Sequence, residues 1–347
     1  MKTPVTVLMA VFNGEAYLEA AIRSILAQTF RDFEFLIIDD GSSDNSLAII
    51  EGLKDERVRL VRNEANMGLT RSLNKGLDLA EGKYIARMDA DDIALPDRLR
   101  LQFDFLENHP DYGLVGGERM ILQNGHLKAK RGELFADHEA ICVLQLFRNG
   151  FVHSAVMMRT TMAKTLRYNE AIFATQDYEF WVRISRHAKV ANLLTPLVQY
   201  RVHGASISET KLDRQMETVK AIHKQQLLQW GLQPSPEEWD VHLLIGLTMN
   251  SHIVREPEVK LAGQWLLKLL EYNRLNPQYE AAAMHRVFQY LWIGLFNRKN
   301  SAVPLRYLFQ NRNHPLNRGF RTKAIIFAHS LKHNPVFRWG YALLKKG

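Results

Sequence analysis

The sequence predicts an α/β fold: a mostly parallel sheet flanked by helices, followed by a C-terminal helical extension. Up to about Ser208, short apolar runs alternate with amphipathic helical patterns, the signature of βαβ units. From about Ile207 the patterns are helical only, so the chain divides into residues 1–208 and 209–347. A third observation concerns function. Asn13, Asp39, Asp40 and Asp89–Asp92 all fall at the carboxyl ends of predicted strands, where ligands bind in such sheets.

Val5–Val11 (VTVLMAV) reads as the first strand. Asn13-Gly14 breaks it and can cap the next helix. That helix carries Leu18, Ala21, Ile22, Ile25 and Leu26 on one face, at i, i+3, i+4, i+7, i+8 spacing. Phe33–Asp39 is a second strand, turned by Asp40-Gly41-Ser42-Ser43. Arg57–Arg62 is a third. Leu69, Leu73 and Leu77 then line a helix, and Lys83–Met88 is a fourth strand. A helix follows Pro96 and ends at Pro110. Asn124-Gly125 marks a hairpin. His153–Arg159 reads as a strand. Phe180, Trp181, Ile184 and Ala188 share one face of a short helix, and Val190–His203 returns to extended structure before the loop Gly204–Ser208. Helices then cover about 211–230, 237–249, 258–272 and 278–296.

The 347 residues are 46% hydrophobic and 24% charged, ordinary for a globular chain with a full core. Cys142 is the only cysteine, which excludes an intrachain disulfide and a cysteine-rich metal site and fits a reducing, cytoplasmic setting. The N-terminal apolar segment is too short for a secretory signal, and no run of about 18 apolar residues predicts a membrane span. The net charge of +8 is concentrated at one end. Twelve Lys or Arg and no Asp or Glu follow Glu280, out of 45 basic and 37 acidic residues overall. In that tail, Phe320, Ala324, Phe327, Ala328 and Leu331 form a stripe flanked by Arg318, Arg321, Lys323 and Lys332. Such a helix fits peripheral contact with an anionic membrane, here the inner face, and equally fits packing on the rest of the chain.

Several short motifs carry chemistry, each beside a plainer reading. Asp89-Ala90-Asp91 at a strand end can offer two carboxylates to Mg²⁺ or Mn²⁺, or form a solvated acidic turn. Asp92 fits a cap for the following helix or a contact with an acceptor. Asp39 and Asp40 can accept hydrogen bonds from a ribose or base, or simply make a turn. Arg71 and Lys75, one helical turn apart, suit a diphosphate or an exposed helix face. Asp177, at a helix start, fits a general base or an N-cap. Arg201 and His203 suit phosphate, and His203 also a metal, although a single histidine is more often a packing residue.

Taken in order, VLMAVFNGEAYLEAAIRSILAQTF, IIDDGSSDNS, NMGLTRSLNKGLDLAEGKYIARMDADD, QDYEFW and YRVHGASIS resemble glycosyltransferase family 2 over about Val5–Ser208. These are inverting enzymes of GT-A fold, a Rossmann-like sheet that binds nucleotide-diphosphate sugars. The resemblance implies that Asp39 contacts the base, with the backbone around Val11 and Asn13 forming the nucleotide pocket beside Asp40. Arg71 would lie near the phosphates, Asp89 by ribose and metal, and Asp91 on a Mn²⁺ or Mg²⁺ ion. Asp177 matches the family's proposed base, and Arg201 and His203 a loop over the diphosphate, with His203 near the metal. The family often has Glu before that base; here it is Gln176, which leaves an acceptor-binding role there without its carboxylate.

The implied activity is transfer of a sugar, from a UDP-sugar by expectation, to a hydroxyl of a glycan or lipid-linked saccharide in cell-surface polysaccharide synthesis. Two alternatives fit less well. A sugar nucleotidyltransferase would carry a Gly-rich phosphate loop where this chain has only Gly14. Nucleic acid is not an expected partner, because the basic tail comes without zinc-finger spacing or an RNA-recognition motif.

Overall fold

The structure, a computed structural model, describes residues 3–129, 134–172, 174–203, 212–247, 254–296 and 314–317. The loop Gly204–Ser208 and the basic tail stripe lie outside the described residues.

The sheet is built on β1 (Val5–Val11), β2 (Phe33–Asp39), β3 (Val58–Arg62) and β4 (Tyr84–Met88), all parallel, in the order β3-β2-β1-β4. Their apolar residues alternate between two cores. Val5, Val7, Met9, Phe33, Phe35, Tyr84, Ala86 and Met88 face one side. Leu8, Ala10, Leu36, Ile38 and Ile85 face the other. Strands buried on both faces need helices on both, and they have them. Helix α1 (Leu18–Leu26), α2 (Ser46–Glu51) and α4 (Arg98–Asn108) cover the first face. Helix α3 (Leu69–Leu79), α6 (Thr160–Leu166) and α7 (Gln176–His187) cover the second.

Beyond β4 the sheet becomes mixed. It continues through β8 (Met157–Arg159), β6 (Tyr112–Gln123), β9 (Lys189–Val202) and β5 (Ile93–Ala94). Of these pairings only β6 with β9 is parallel. The strand β7 (His126–Ala129) pairs back on β6 across Asn124 (φ 50°) and Gly125 (φ 75°), the left-handed pair the hairpin reading requires.

Two local expectations are corrected. Asn13-Gly14 does not cap α1: Gly14 O accepts from Tyr17 N and Leu18 N at 3.0 Å, and Tyr17 precedes the helix. Nor is His153–Arg159 all strand. His153–Ala155 is a 3-10 turn, with Ser154 drawn to Asp92 and Ala155 N bonded to Val152 O, which leaves only Met157–Arg159 for β8. Helices α5 (His138–Leu144) and α6 had no counterpart in the sequence reading.

Packing divides the chain into two compact units. The first, residues 1–145 and 149–224, runs past Ser208 because Val219 and Ile222 of α8 (Leu212–Gln229) pack on Tyr178 and Val182 of α7. The second comprises residues 146–148 and 225–347, with α9 (Pro236–Gly246), α10 (Glu256–Leu275) and α11 (Ala281–Phe296). Ser235 and Glu238 form a reciprocal cap at the start of α9. Buried His242 receives a bond from Trp265 Nε1 on Nδ1 (3.2 Å), so its Nε2–H donates to Leu146 O (3.0 Å). Burial lowers its pKa to about 4, which keeps that tautomer neutral. Among the described residues no helix is long and apolar enough to cross a membrane.

Candidate active site

The site lies at the carboxyl edge of the parallel strands. The register sets Val11 opposite Asp39, and Met9 opposite Met88, so the segments after β1, β2 and β4 leave the sheet side by side. Two strand spacings, roughly 10 Å, separate the end of β2 from that of β4.

The loops after β1 and β2 clasp each other. Asn13, in left-handed conformation (φ 51°), accepts Ser43 N on its side chain at 2.9 Å and donates its backbone N to Ser42 Oγ at 3.0 Å. Gly14 N donates to Ser46 Oγ at 2.8 Å, and Glu15 accepts Asn45 N at 2.9 Å. Asp40 N closes the set on Val11 O at 2.8 Å. Gly41 (φ 74°) allows the close turn: a Cβ there would stand 2.8 Å from the backbone of Ala65.

Asp39 and Asp40 differ. Asp40 is nearly buried, and its oxygens accept from Met67 N, Gly68 N and Asn63 Nδ2 at 2.8–2.9 Å, so it anchors the loop before α3. Asp39 is fully buried. Its Oδ1 accepts from Ser42 N at 3.3 Å, while Oδ2 makes no hydrogen bond among the described residues and has Arg62 Nε 3.7 Å away. A buried carboxylate oxygen without a donor is costly unless something supplies one. On α3, Lys75 is committed to Asn63 Oδ1 (2.7 Å). Arg71 is 61% exposed and pairs with Glu170 at 3.4 Å.

Asp89, Asp91 and Asp92 bring one carboxylate oxygen each within 4.8 Å of one another. Strand β5 makes this cluster more than an acidic turn. It pairs Ile93 with Gln199 and so lays the end of β9 along it. Arg201 Nε donates to Asp91 O (2.8 Å), Arg201 N to Asp92 Oδ1 (2.8 Å), and His203 Nε2 lies 3.0 Å from Asp91 Oδ2. Tyr17 backs both, its ring 4.4 Å from the Arg201 guanidinium and 4.8 Å from the His203 ring.

Asp92, 1% exposed, does not cap α4, whose N-cap position is Asp97; it takes hydrogen bonds from Ser154 Oγ and Arg201 N and so ties the 3-10 turn and β9 to the acidic loop. Burial, then Asp89 and Asp91, push its carboxyl up to about 8. An acid whose folded pKa exceeds its unfolded value holds extra protons when folded. Stability therefore falls as pH rises from about 4 toward 8. In EDTA, the melting temperature of the wild type should fall more steeply between pH 5 and 8.5 than that of Asp92→Asn, by about 2–4 °C for each kcal/mol of repulsion removed. Parallel curves would refute it.

Arg87 was not among the residues singled out from the sequence. It is 1% exposed, on the face of β4 that α7 covers, and forms an ion pair with Asp89. Burial and the neighbouring Asp91 push the Asp89 carboxyl up, and Arg87 holds it down. His153 bonds Tyr168 Oη at 3.0 Å, and its pKa lies well below the usual value because of burial and then Arg87. A single Arg inside the apolar run YIARM was the available signal.

Asp177 is the second residue of α7, after Gln176, and is not its cap. Burial raises its pKa; the Tyr178 backbone N–H, Asn149 and Arg87 oppose this, and Asp89 adds to it. Asp177 and Asp89 therefore share one electrostatic environment although 88 residues separate them. Asn149 Nδ2 donates to Asp177 Oδ2 at 2.8 Å, and nothing in the sequence singled Asn149 out.

A doubly covered, largely parallel sheet that becomes mixed beyond its acidic loop, followed by helices, is the GT-A architecture of glycosyltransferases. The chain belongs to glycosyltransferase family 2, whose profile, described as "Glycosyl transferase family 2", matches residues 6–172. It is 32% identical over 217 residues to the O-antigen biosynthesis glycosyltransferase WbnJ of Escherichia coli, covering 60% of this chain and 83% of that one. It is 27% identical over 210 residues to the E. coli UDP-Glc:alpha-D-GlcNAc-diphosphoundecaprenol beta-1,3-glucosyltransferase WfgD, covering 60% and 80%. Residues 1–349 of S. aureus TarS, solved with UDP-GlcNAc, superpose with a TM-score of 0.57 at 17% identity over 91% of this chain and 89% of that chain, a likeness of fold.

Proposed function

We propose that this glycosyltransferase moves a sugar from a UDP-sugar, with inversion, to a hydroxyl of a lipid-linked or polysaccharide acceptor. Arg201 and His203 brought onto the Asp89–Asp92 cluster, with Asp177 in the same electrostatic environment, is the observation that carries the reading. WfgD and TarS, the first by its name and the second by its bound ligand, support the uridine donor, and WfgD the lipid-linked acceptor.

Each residue then has a task. Asp39 Oδ2 accepts an N–H of the base, a donor it lacks among the described residues. The clasped loops around Val11 and Asn13 wall the nucleotide pocket, and Asp40 shapes that wall from behind. Arg71, exposed on α3, reaches the phosphates by leaving Glu170. Arg201 and His203 offset charge on the departing diphosphate. Asp177 takes the acceptor hydroxyl proton as that oxygen attacks the anomeric carbon.

Three clustered carboxylates fit a small hard cation: burial and then their mutual repulsion raise Asp89 and Asp92, and the repulsion is what a cation relieves. Asp89 and Asp91, with His203 beside Asp91, would hold Mn²⁺ or Mg²⁺. When bound, the ion supplies Lewis-acid neutralisation of the diphosphate. The basic tail suits an anionic membrane surface where a lipid-linked acceptor would lie.

A panel of UDP-, GDP- and dTDP-sugars, each with Mn²⁺ or with EDTA, tests the donor class by thermal shift and by release of nucleoside diphosphate. UDP-sugars with Mn²⁺ should stabilise the protein and be slowly hydrolysed. Response to GDP-sugars alone would overturn the uridine assignment, and response to none would overturn the whole reading.

A further inference from the structure

The start of α7 is held in an unusual way. Thr175, which precedes it, is left-handed (φ 62°), and its hydroxyl donates to Ala174 O, so no side chain caps the helix. Two acidic residues fall in the first turn. Glu179 is committed to Arg183 through bonds of 2.7 and 2.8 Å. Asp177 instead receives one side-chain bond, from Asn149 Nδ2 at 2.8 Å.

The orientation of Asn149 is not free. Its Oδ1 accepts from Phe151 N at 3.0 Å. Turning the amide over would set its NH₂ against that N–H and its oxygen against the carboxylate, two repulsions for two bonds. The loop backbone therefore fixes which end of the amide meets Asp177. With Oδ2 held by Asn149, rotation of the Asp177 carboxylate is restrained.

We propose that Asn149 is a positioning residue for proton transfer, locking the Asp177 carboxylate in the orientation that receives the acceptor proton. This rests on Asp177 being the base. The other groups that act on Asp177 are Arg87 and Asp89 from β4 and its loop, Tyr168 from the segment before α7, and the Tyr178 backbone N–H. Asn149 is the neutral side chain among them that donates directly, so its removal disturbs orientation without changing the charge of the site.

The test uses the full chain with Mn²⁺ and the UDP-sugar that the wild type hydrolyses fastest. Asn149→Ala should lower kcat about 10- to 100-fold, the scale of a misplaced reacting group, with KM and the UDP dissociation constant within about twofold. The acid limb of its kcat profile should move up by about one pH unit, because the ionised carboxylate has lost a donor. Asn149→Asp keeps an acceptor for Phe151 N and therefore the loop. It should be slower still, since it sets a like charge against Asp177. Wild-type kcat and an unmoved acid limb in both variants would overturn the inference. So would a loss of UDP affinity in step with kcat, which would make Asn149 merely structural. Asp177→Asn separates the premises: if it stays active the base assignment fails, and if it is inactive while both Asn149 variants behave as wild type, only the role of Asn149 fails.

Discussion

Asp177→Asn should lower sugar transfer by about 10²–10⁴-fold, the usual contribution of a positioned general base, and leave UDP affinity within about twofold. The amide has nearly the shape of the carboxylate and keeps an oxygen for Asn149 Nδ2, so the start of α7 is preserved. What it loses is basicity. The pKa of Asp177 is raised by burial yet opposed by Tyr178 N–H, Asn149 and Arg87. A base set this way is stronger than an exposed aspartate. The measurement is steady-state transfer or hydrolysis beside UDP titration. Turnover near wild type would remove Asp177 from the mechanism.

Asp91→Ala should act on binding. It removes the most exposed carboxylate of the cluster and the partner of His203 Nε2, with side-chain exposure of 36%. Fold stability should change little, because surface charges contribute about 0–1 kcal/mol. UDP-sugar affinity in Mn²⁺ should fall about tenfold or more, the scale on which losing a metal ligand or its support acts. In EDTA the variant should bind no more weakly than wild type, because the carboxylate it lacks would otherwise repel the diphosphate. Equal loss in both conditions would mean that Asp91 serves the donor without a cation.

Much of this was legible in the sequence where the information is local. The short apolar runs VTVLMAV and FEFLIID gave β1 and β2, and Asn124-Gly125 gave the hairpin. The acidic loop stood out because three carboxylates follow an apolar strand. What stayed hidden depends on partners distant in sequence. Strand β5 is two residues long and exists only through β9. Asp92 read as a cap or an acceptor contact, and its bonds to Ser154 and Arg201, 62 and 109 residues away, were not visible. Asn13 has the chemistry of a helix cap, yet it serves a clasp with Ser43. Asn149, in the segment RNGF, reads as an ordinary turn, and its importance appears only once α7 brings Asp177 to it.

Titration of the wild-type protein with UDP, in Mn²⁺ and then in EDTA, tests the central claim most directly. UDP should bind with Mn²⁺ present and lose about tenfold or more of its affinity in EDTA, since the carboxylates of the Asp89–Asp92 cluster then face the diphosphate without a cation between them. Equal affinity in both conditions, or no binding in either, would contradict the assignment of this edge of the sheet as a cation-assisted nucleotide-sugar site.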